Sequence, residues 1–433
     1  MLKFLNSDQS TFFSKLEKIL NKRSTQNFNN PRLVKKIISD VKNNKDQAII
    51  KYEKKFSKLK QINTSNLRFS EKEINRTIKL LDKKTKNSID LAFRRIYKFH
   101  KPQKLKSYKI KDNQNNYFSY KSSPIEKVGV YVPGGTASYP SSVLMNCIPA
   151  MLAGVKEIYM TTPALNKKFN PAVLYAAKKC KVRAIYKIGG AQAIAALAFG
   201  TKIIKKVDKI VGPGNEYVAF AKKELFGTVG IDMIAGPSEV TVVADKFSNP
   251  NWVASDLIAQ AEHDEFAQSI LVTDNKKMIS EVNLCLKEQL INLNKKIIAK
   301  KSLKKFGLAI YASSKKRLFE VVNYIAPEHL EICTRQPEKF LKNVVNAGSI
   351  FLGNYSSESI GDYLAGTNHV LPTSGSAKFS SGLSVYDFLK RHSIIKISKS
   401  GIERLGPSVI NLAQYENLDG HANSVKMRFK KEI

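Results

Sequence analysis

The chain has 433 residues, and its 72 Lys and Arg against 36 Asp and Glu give a net charge of +36. Single hydrophobic cores stop growing near ~250–300 residues, so this length predicts at least two domains. No apolar run approaches the ~20 residues of a membrane-spanning helix, and the first residues show no signal peptide, which favours a cytoplasmic protein. The four cysteines are scattered without a CxxC pair, which argues against a disulfide framework or a thiolate zinc site.

The positive charge is of the size found in proteins that bind nucleic acid. Most of the excess is Lys spread along helix faces, and the sequence has neither a nucleic-acid motif nor a basic groove interleaved with aromatic residues. We therefore interpret the charge as solvated surface and expect no nucleic-acid or membrane partner. A nucleic-acid-binding protein is the alternative from another class, and it would show a steep dependence of affinity on salt.

The N-terminal part is predicted to be helical. Asn30 followed by Pro31 is typical of a helix start. Ser70 and Glu73 form a capping box that opens a long helix toward His100. Residues 101–126 are predicted to be irregular, with strand-like pieces near 117–120.

From residue 128 the pattern alternates between apolar strands and helices. Predicted strands lie at 128–132, 158–162, 184–188, 209–211, 239–244, 269–272, 308–312, 329–333 and 348–352. Predicted helices lie at 142–154, 171–179, 192–199, 216–226, 250–262, 277–293 and 315–325. The alternation restarts at 239, which predicts two successive α/β units with parallel sheets. After about 384 only short amphipathic pieces remain.

The adjacent Glu328 and His329 are residue types that serve as general bases. Pro327 fixes φ just before them, and Ala326 is disfavoured in the α region because it precedes a proline. The helix over 315–325 should therefore end here, with the pair on a rigid turn into a strand. Taken alone, such a pair is more often a solvated loop feature.

Four glycine-rich loops adjoin the predicted strands, at Gly134–Gly135, Gly189–Gly190, Gly212–Gly214 and Gly236. None is a GxGxxG or Walker A motif, since Tyr217 occupies the place of the third glycine in the third loop. Each alone is most simply a tight turn. Together they favour a ligand site, because ligands of such sheets bind at the carboxyl ends of strands.

Gln260 and His263 lie three residues apart at the end of a predicted helix, so they share one face. Asp362 and His421 are further candidate ligands. Nitrogen and oxygen donors without cysteine suit Zn²⁺ or a neighbouring first-row metal. Each of these residues alone is more often structural.

The stretch 361–384 is too long and too poor in charge for an idle connection, which predicts burial around a site. His369 lies in it and competes with the four candidate metal ligands. His100 and His392 have strongly basic surroundings and are predicted to be surface residues.

Several motifs, in order along the chain, resemble those of the histidinol dehydrogenase family. They are GVYVPGG (129–135), GPGN (212–215), DMIAGPSE (232–239), QAEHD (260–264), APEHLE (326–331), GDYLAGTNHVLPT (361–373) and DGHA (419–422). The N-terminal helices match only loosely.

The resemblance implies an α/β fold with two incomplete Rossmann-like parallel-sheet domains, small helical N- and C-terminal parts, and an intertwined homodimer. Residues 27–127 and 239–383 would form the first α/β domain, and 128–238 the second, on the NAD side. Residues 1–26 and 384–408 would form a small helical domain. The tail, 409–433, would reach the partner subunit.

The resemblance also implies NAD-dependent oxidation of L-histidinol to L-histidine via histidinaldehyde, with one Zn²⁺ per subunit. Carried over by motif, Glu328 and His329 would be catalytic, and the zinc ligands would be Gln260, His263, Asp362 and His421. The substrate would contact Ser238, Gln260, His263, His329, Asp362, Glu416 and His421. NAD would contact Tyr131, Gln192 and Asn215.

In this interpretation His329 accepts the hydroxyl proton, and Glu328 activates the water that adds to the aldehyde. A thiohemiacetal on Cys147 is the alternative, but the surroundings of this residue predict a buried helix. A relative of the same fold that oxidises another small alcohol also remains an alternative.

Overall fold

The structure, a computed structural model, describes residues 1–24, 30–57, 62–103, 105, 107–134, 139–163 and 169–429. Its strands are β1 Lys3–Asn6, β2 Lys109–Lys111, β3 Tyr117–Pro124, β4 Lys127–Tyr131, β5 Glu157–Thr161, β6 Ala184–Tyr186, β7 Lys209–Val211, β8 Gly230–Ile231, β9 Glu239–Ala244, β10 Gln268–Thr273, β11 Leu308–Tyr311, β12 His329–Cys333, β13 Ser349–Leu352 and β14 Leu389–Lys396. Its helices are α1 Phe12–Ser24, α2 Pro31–Phe56, α3 Glu71–Ile78, α4 Lys83–His100, α5 Pro140–Ala153, α6 Pro171–Lys179, α7 Gly190–Phe199, α8 Glu216–Leu225, α9 Pro250–Ala261, α10 Lys276–Gln289, α11 Lys296–Phe306, α12 Lys315–Ile325, α13 Glu338–Leu341, α14 Glu358–Tyr363, α15 Lys399–Tyr415 and α16 Asp419–Lys426. Across these ranges no helix is both long and apolar enough to span a membrane.

The first sheet is parallel, with the strand order β1-β11-β10-β9-β12-β13. The chain steps outward from β9 to β11 and then returns to the other side of β9 with β12. The sheet therefore reverses its winding between β9 and β12, as in doubly wound folds. Every residue of β9, β10 and β12 is buried. Helices pack on both faces, so the apolar residues of these strands enter two separate core clusters, and polar residues such as Glu239, Gln268 and Glu331 are buried with them.

The second sheet is also parallel, with the order β6-β5-β4-β7-β8. It repeats the same winding, with the reversal between β4 and β7. The two sheets confirm the predicted α/β class with two Rossmann-like units. The glycine-rich loops after β4, β6 and β7 all leave from the carboxyl ends of their strands.

A third sheet is antiparallel, with the order β14-β3-β2. Residues 384–408 were expected in a small helical domain with residues 1–26. Instead β14 lies along the whole of β3, with Leu389 opposite Pro124 and Lys396 opposite Tyr117. β14 is mostly exposed, so its sequence lacks the apolar alternation by which a strand is recognised.

The N-terminal segments pack against both parallel sheets. β1 pairs with β11 in the first sheet, and Phe12 and Leu16 of α1 enter the core beside Ile310. α2 packs against α7 and α8, so Val34 and Ile37 lie in the core of the second sheet. The apolar face of α2 predicted that the helix packs on a core, but it did not indicate which of the two sheets the helix covers. The predicted boundary at 26/27 lies outside the described residues.

Most predicted helix and strand positions from 128 onward are confirmed to within a few residues. The helix predicted from 70 toward 100 is two helices, and Asp82 caps the second by accepting the Thr85 N–H at 2.8 Å. The prediction of His100 as a surface residue is wrong. It is 1% exposed, and its ring is hydrogen-bonded to Gln103 at 2.8 Å, because α4 turns it inward. His392 is exposed, as predicted.

Candidate active site and metal centre

Glu328 and His329 lie on a tight turn between α12 and β12. Helix α12 ends at Ile325, because Ala326 takes a left-handed conformation (φ 50°) and Pro327 follows it. Ala326 was expected to leave the right-handed region, and it does so without becoming extended. Both side chains are buried, with 5% of Glu328 and 4% of His329 exposed. The pair is therefore not a solvated loop feature.

The main chain of Glu239, the first residue of β9, holds both members of the pair. Its N–H donates to Glu328 Oε2 at 2.8 Å, and its carbonyl accepts from His329 Nδ1 at 3.0 Å. Because a carbonyl can only accept, Nδ1 carries the proton in this arrangement. The neutral ring then presents an unprotonated Nε2, the form that accepts a proton from a substrate.

Burial shifts the pKa values of the two side chains in opposite directions. Burial, followed by the negative charges of Glu239 and Asp362, raises the pKa of Glu328 well above its usual value. Burial lowers the pKa of His329, while the Asp362 carboxylate opposes that change. These shifts favour an uncharged imidazole and a carboxylate that is a strong base when ionised.

The face predicted to bind metal adjoins the pair. Gln260 on α9 is fully buried, yet neither its amide oxygen nor its amide nitrogen has a hydrogen-bond partner within the described ranges. Unpaired buried polar atoms cost about 1–3 kcal/mol each, so a further ligand is expected there. Helix α9 packs against α14, which carries Asp362. Asp362 Oδ1 lies 3.7 Å from His329 Nε2, which is also unpaired in the part of the chain that is described.

His263 lies just beyond α9 and is exposed, with its backbone N–H donating to Gln260 O at 3.2 Å. It is near enough that its charge lowers the pKa of His329, after the larger effect of burial. His369 donates from Nδ1 to the main-chain oxygen of Asp362 at 3.0 Å. Its other ring nitrogen keeps His369 an alternative ligand. Gln260, His263 and Asp362 thus share one neighbourhood, and their amide, imidazole and carboxylate donors suit Zn²⁺.

Two carboxylates at this centre were not predicted. Glu358 lies one turn before Asp362 on α14, and His329, Glu358 and Asp362 place ligand atoms within 4.8 Å of one another. Glu358 and Asp362 are four residues apart on one short helix, and this spacing was the signal for Glu358 that the sequence offered. Glu239 is the second of these carboxylates and the last residue of the motif at 232–239. It holds the pair through its main chain, so its residue type did not indicate this role.

The residues predicted to contact NAD lie at the carboxyl ends of the second sheet. Tyr131 ends β4, and its hydroxyl accepts the Gly190 N–H at 3.1 Å. Gln192, in the first turn of α7, donates to Glu53 Oε1 at 2.8 Å. Tyr131 and Gln192 therefore both lie at the start of α7, where the Gly190 N–H donates to Tyr131 and the Gly189 N–H to Glu53.

Asn215 caps the neighbouring helix α8 by accepting the Val218 N–H at 3.2 Å, and its side chain is exposed. The loop before it passes close to β4, since a Cβ on Gly212 would lie 2.1 Å from the Tyr131 carbonyl oxygen. This brings the third predicted NAD contact toward the first two. Gly135 of the first glycine-rich loop lies outside the described residues.

A family model described as histidinol dehydrogenase matches residues 20–429. The chain belongs to the histidinol dehydrogenase family. It is 55% identical over 433 residues to the histidinol dehydrogenase of Pelagibacter ubique, covering 100% of both chains. It is 48% identical to that of Clostridium acetobutylicum, covering 92% of each. The crystal structure of histidinol dehydrogenase from Elizabethkingia anophelis matches with a TM-score of 0.93 and 38% identity, covering 99% of this chain and 98% of that one.

Two residues that the resemblance to histidinol dehydrogenases assigned to the site lie elsewhere in this single chain. Glu416 follows α15 and His421 lies on α16, and both are exposed. Among the described residues, no hydrogen bond or ion pair joins either side chain to the groups around Asp362. Ser238, by contrast, directly precedes Glu239. Cys147 is fully buried in α5, as predicted.

Proposed function

We propose that this chain oxidises L-histidinol to L-histidine through enzyme-bound histidinaldehyde, the last step of histidine biosynthesis. One alcohol, two NAD⁺ and one water give one carboxylate, two NADH and three protons. The observation that carries the proposal is the buried Glu328–His329 pair on the main chain of Glu239, beside unpaired Gln260, in a chain of this family.

The zinc ligands in this proposal are Gln260, His263 and Asp362, with His421 from a second subunit. Their donor types and the unpaired amide of Gln260 support the assignment. When bound, the metal supplies fixed coordination positions for the imidazole and amino nitrogens of the substrate, which orients the reacting carbon.

His329 takes the hydroxyl proton at Nε2 in the first oxidation. Its Nδ1–H is already committed to the Glu239 carbonyl, which holds the ring in the tautomer that has a free Nε2 lone pair. Burial keeps the ring uncharged and ready to accept a proton.

Glu328 removes a proton from the water that adds to the aldehyde before the second oxidation. Its carboxylate is anchored through Oε2 to the Glu239 N–H, and its burial excludes bulk water from the intermediate. Tyr131, Gln192 and Asn215 would hold NAD⁺, which would supply the hydride acceptor for each oxidation.

We further propose an intertwined homodimer in which Glu416 and His421 complete the substrate and zinc sites of the partner. Both side chains are exposed here, and the neighbouring Leu412, Tyr415 and Leu418 are 61%, 86% and 40% exposed. Such an apolar face is expected to be covered by another chain. The four buried cysteines are free thiols, which fits the reducing cytoplasm as the compartment.

The test is to follow NADH from purified protein with L-histidinol, before and after removal of metal by a chelator. We expect turnover that is lost with the metal and restored by Zn²⁺. A panel of other small alcohols distinguishes a relative with another substrate. No NADH from histidinol with fully zinc-loaded protein would contradict the proposal.

A further inference from the structure

The last turn of α1 places a buried arginine under the candidate active site. Arg23 is 3% exposed, and its guanidinium donates to five acceptors on the first sheet. Nε reaches Phe266 O at 2.9 Å, and Nη1 reaches Glu239 Oε1 at 2.7 Å and Gln268 Oε1 at 3.0 Å. Nη2 donates to Ser238 O at 3.3 Å and to Pro237 O. The arginine therefore grips the segment that leads into β9.

Glu239, the ion partner of Arg23, connects this arginine to the chemistry. Its carboxylate is also the acceptor for the Ser374 N–H at 2.7 Å, from the long loop after α14. Its main chain holds Glu328 and His329. One residue thus joins the arginine, the loop and both catalytic side chains.

We propose that Arg23 and Glu239 form a positioning pair, which fixes the catalytic Glu328 and His329 through the main chain of β9 and orients the Ser238 segment toward the substrate. This inference rests on the proposed function. Neither residue of the pair touches the reacting atoms. The ion pair instead fixes the positions of the Glu239 N–H and carbonyl, which bind Glu328 and His329.

Burial and hydrogen-bond geometry explain why an arginine and a carboxylate are both required at these two positions. Both side chains are nearly fully buried, so removing one charge leaves the other uncompensated. Five acceptors arranged around one planar fork match a guanidinium, whereas an ammonium can reach only some of them. Replacing Arg23 by Lys therefore keeps the charge and loses the fixed geometry.

The inferred role also predicts which kinetic constant changes. Tyr131, Gln192 and Asn215 belong to the second sheet, and none is bonded to Arg23 within the described residues. The KM for NAD should therefore stay within about twofold. A displacement of the catalytic groups of about 1 Å lowers the chemical rate by up to a hundredfold. We expect kcat for histidinol to fall roughly tenfold to a hundredfold in Arg23→Lys.

Arg317→Lys is the matched control. Arg317 also ties the N-terminal segment to the first α/β unit, with Nε donating to Ser7 O at 2.9 Å and Nη1 to Glu320 at 2.9 Å. Among the described residues, no hydrogen bond or ion pair joins it to Glu239, Glu328 or His329. A merely structural role for Arg23 would lower the melting temperature of Arg23→Lys and leave its kcat as high as that of Arg317→Lys.

A spectroscopic measurement does not depend on turnover. In protein labelled with ¹⁵N at histidine, the His329 ring signals, assigned by their loss in His329→Gln, report the single Nδ1–H tautomer. We expect these signals to shift or broaden in Arg23→Lys and to stay unchanged in Arg317→Lys. A double variant, Arg23→Gln with Glu239→Gln, removes both charges together and provides a folded alternative if Arg23→Lys does not fold.

Unchanged kcat and unchanged His329 signals in folded Arg23→Lys or in the double variant would overturn the positioning pair. Equal changes in the Arg317→Lys control would also overturn it. If the wild type does not oxidise histidinol at all, the proposed function fails, and the histidine spectra still decide the inference about Arg23.

Discussion

A buried carboxyl group and a buried imidazole side by side allow the two oxidations to use separate bases. His329 offers an unprotonated Nε2, whereas Glu328 has a raised pKa and binds the Glu239 N–H through only one oxygen. The proposed function assigns alcohol deprotonation to the ring and hydration of the aldehyde to the carboxylate.

Glu328→Gln should stop the reaction after its first half. The glutamine side-chain oxygen can still accept the Glu239 N–H, so the fold should be retained, but the carboxylate assigned to water activation is gone. We expect steady-state kcat to fall by roughly 10²–10⁴-fold. Single-turnover experiments with excess NAD⁺ should give one NADH per site. Two NADH per site at an unchanged rate would contradict the role of Glu328.

The buried Glu53 provides a pH test of the NAD side. Burial raises the pKa of this carboxyl, while hydrogen bonds from Ser57, Gln192 and the Gly189 N–H oppose the rise. Above the usual pKa of 4.5 the unfolded chain releases a proton that the folded chain retains. The contribution of Glu53 to stability is therefore present below that pH and is lost as pH rises through the folded pKa.

Glu53→Gln removes this titration and keeps an amide oxygen for Gly189 and Gln192. The melting temperature of the variant relative to wild type should therefore increase as pH rises above about 4.5. Asp40→Asn is the control, because the Lys51 hydrogen bond lowers the pKa of Asp40 to about 2. Its difference from wild type should stay flat over the same range. A flat difference for Glu53→Gln would show that its carboxyl does not titrate there.

For single residues, the sequence indicated the side chains proposed to act on the substrate. It did not indicate the residues that position those side chains. Glu328 and His329 stand out as residue types. Glu239 acts through its N–H and carbonyl, which every non-proline residue has, so its type carries no signal. Arg23 lies 216 residues away from Glu239 in sequence, and no local pattern indicates that such a pair forms.

Among the structural elements, the loop between β7 and α8 tests the NAD site most sharply. Gly212 has φ +110°, and a Cβ there would lie 2.1 Å from the backbone oxygen of Tyr131. Gly212→Ala should cost about 1–3 kcal/mol from backbone strain, and more as the loop moves away from β4. We expect the KM for NAD to rise and the melting temperature to fall.

Gly227→Ala is the comparison, since Gly227 has φ +96° with nothing in the described structure within 4 Å of an added Cβ. It should lose stability through strain alone and keep the wild-type KM for NAD. If both variants bind NAD equally, the close approach of the loop to Tyr131 is unimportant for the cofactor.

The central strands of the two parallel sheets were predictable, and β1 and β14 were not. β9, β10 and β12 are buried throughout, and helices with side-chain N-caps follow β9 and β10. β1 is four residues long and pairs with β11 some three hundred residues later, and β14 is exposed along its length. Their pairing depends on distant partners more than on local pattern.

For the whole molecule, the proposed sharing of the site between two subunits predicts complementation between inactive subunits. His421→Asn and Glu328→Gln should each abolish most activity alone. After mixing and subunit exchange, half of the dimers are mixed, and one of their two sites regains both wild-type residues only if His421 crosses over. Activity should then return to roughly a quarter of wild type.

The mixing experiment needs evidence of exchange, which a size tag on one variant provides. Mixed dimers without recovered activity would mean that each chain builds its own site. The tail could be assigned to a partner only by resemblance, because the exposed Glu416 and His421 carry no signal of the surface that they meet.

The attachment of both proposed catalytic residues to Glu239 has a consequence for their thermal motion. When the start of β9 fluctuates, the carboxylate and the imidazole are displaced in the same direction, and the vector between them changes little. Vibrations of the sheet therefore move the two side chains together. On heating, the distance between the pair and the substrate should begin to vary at a lower temperature than the distance between the two side chains.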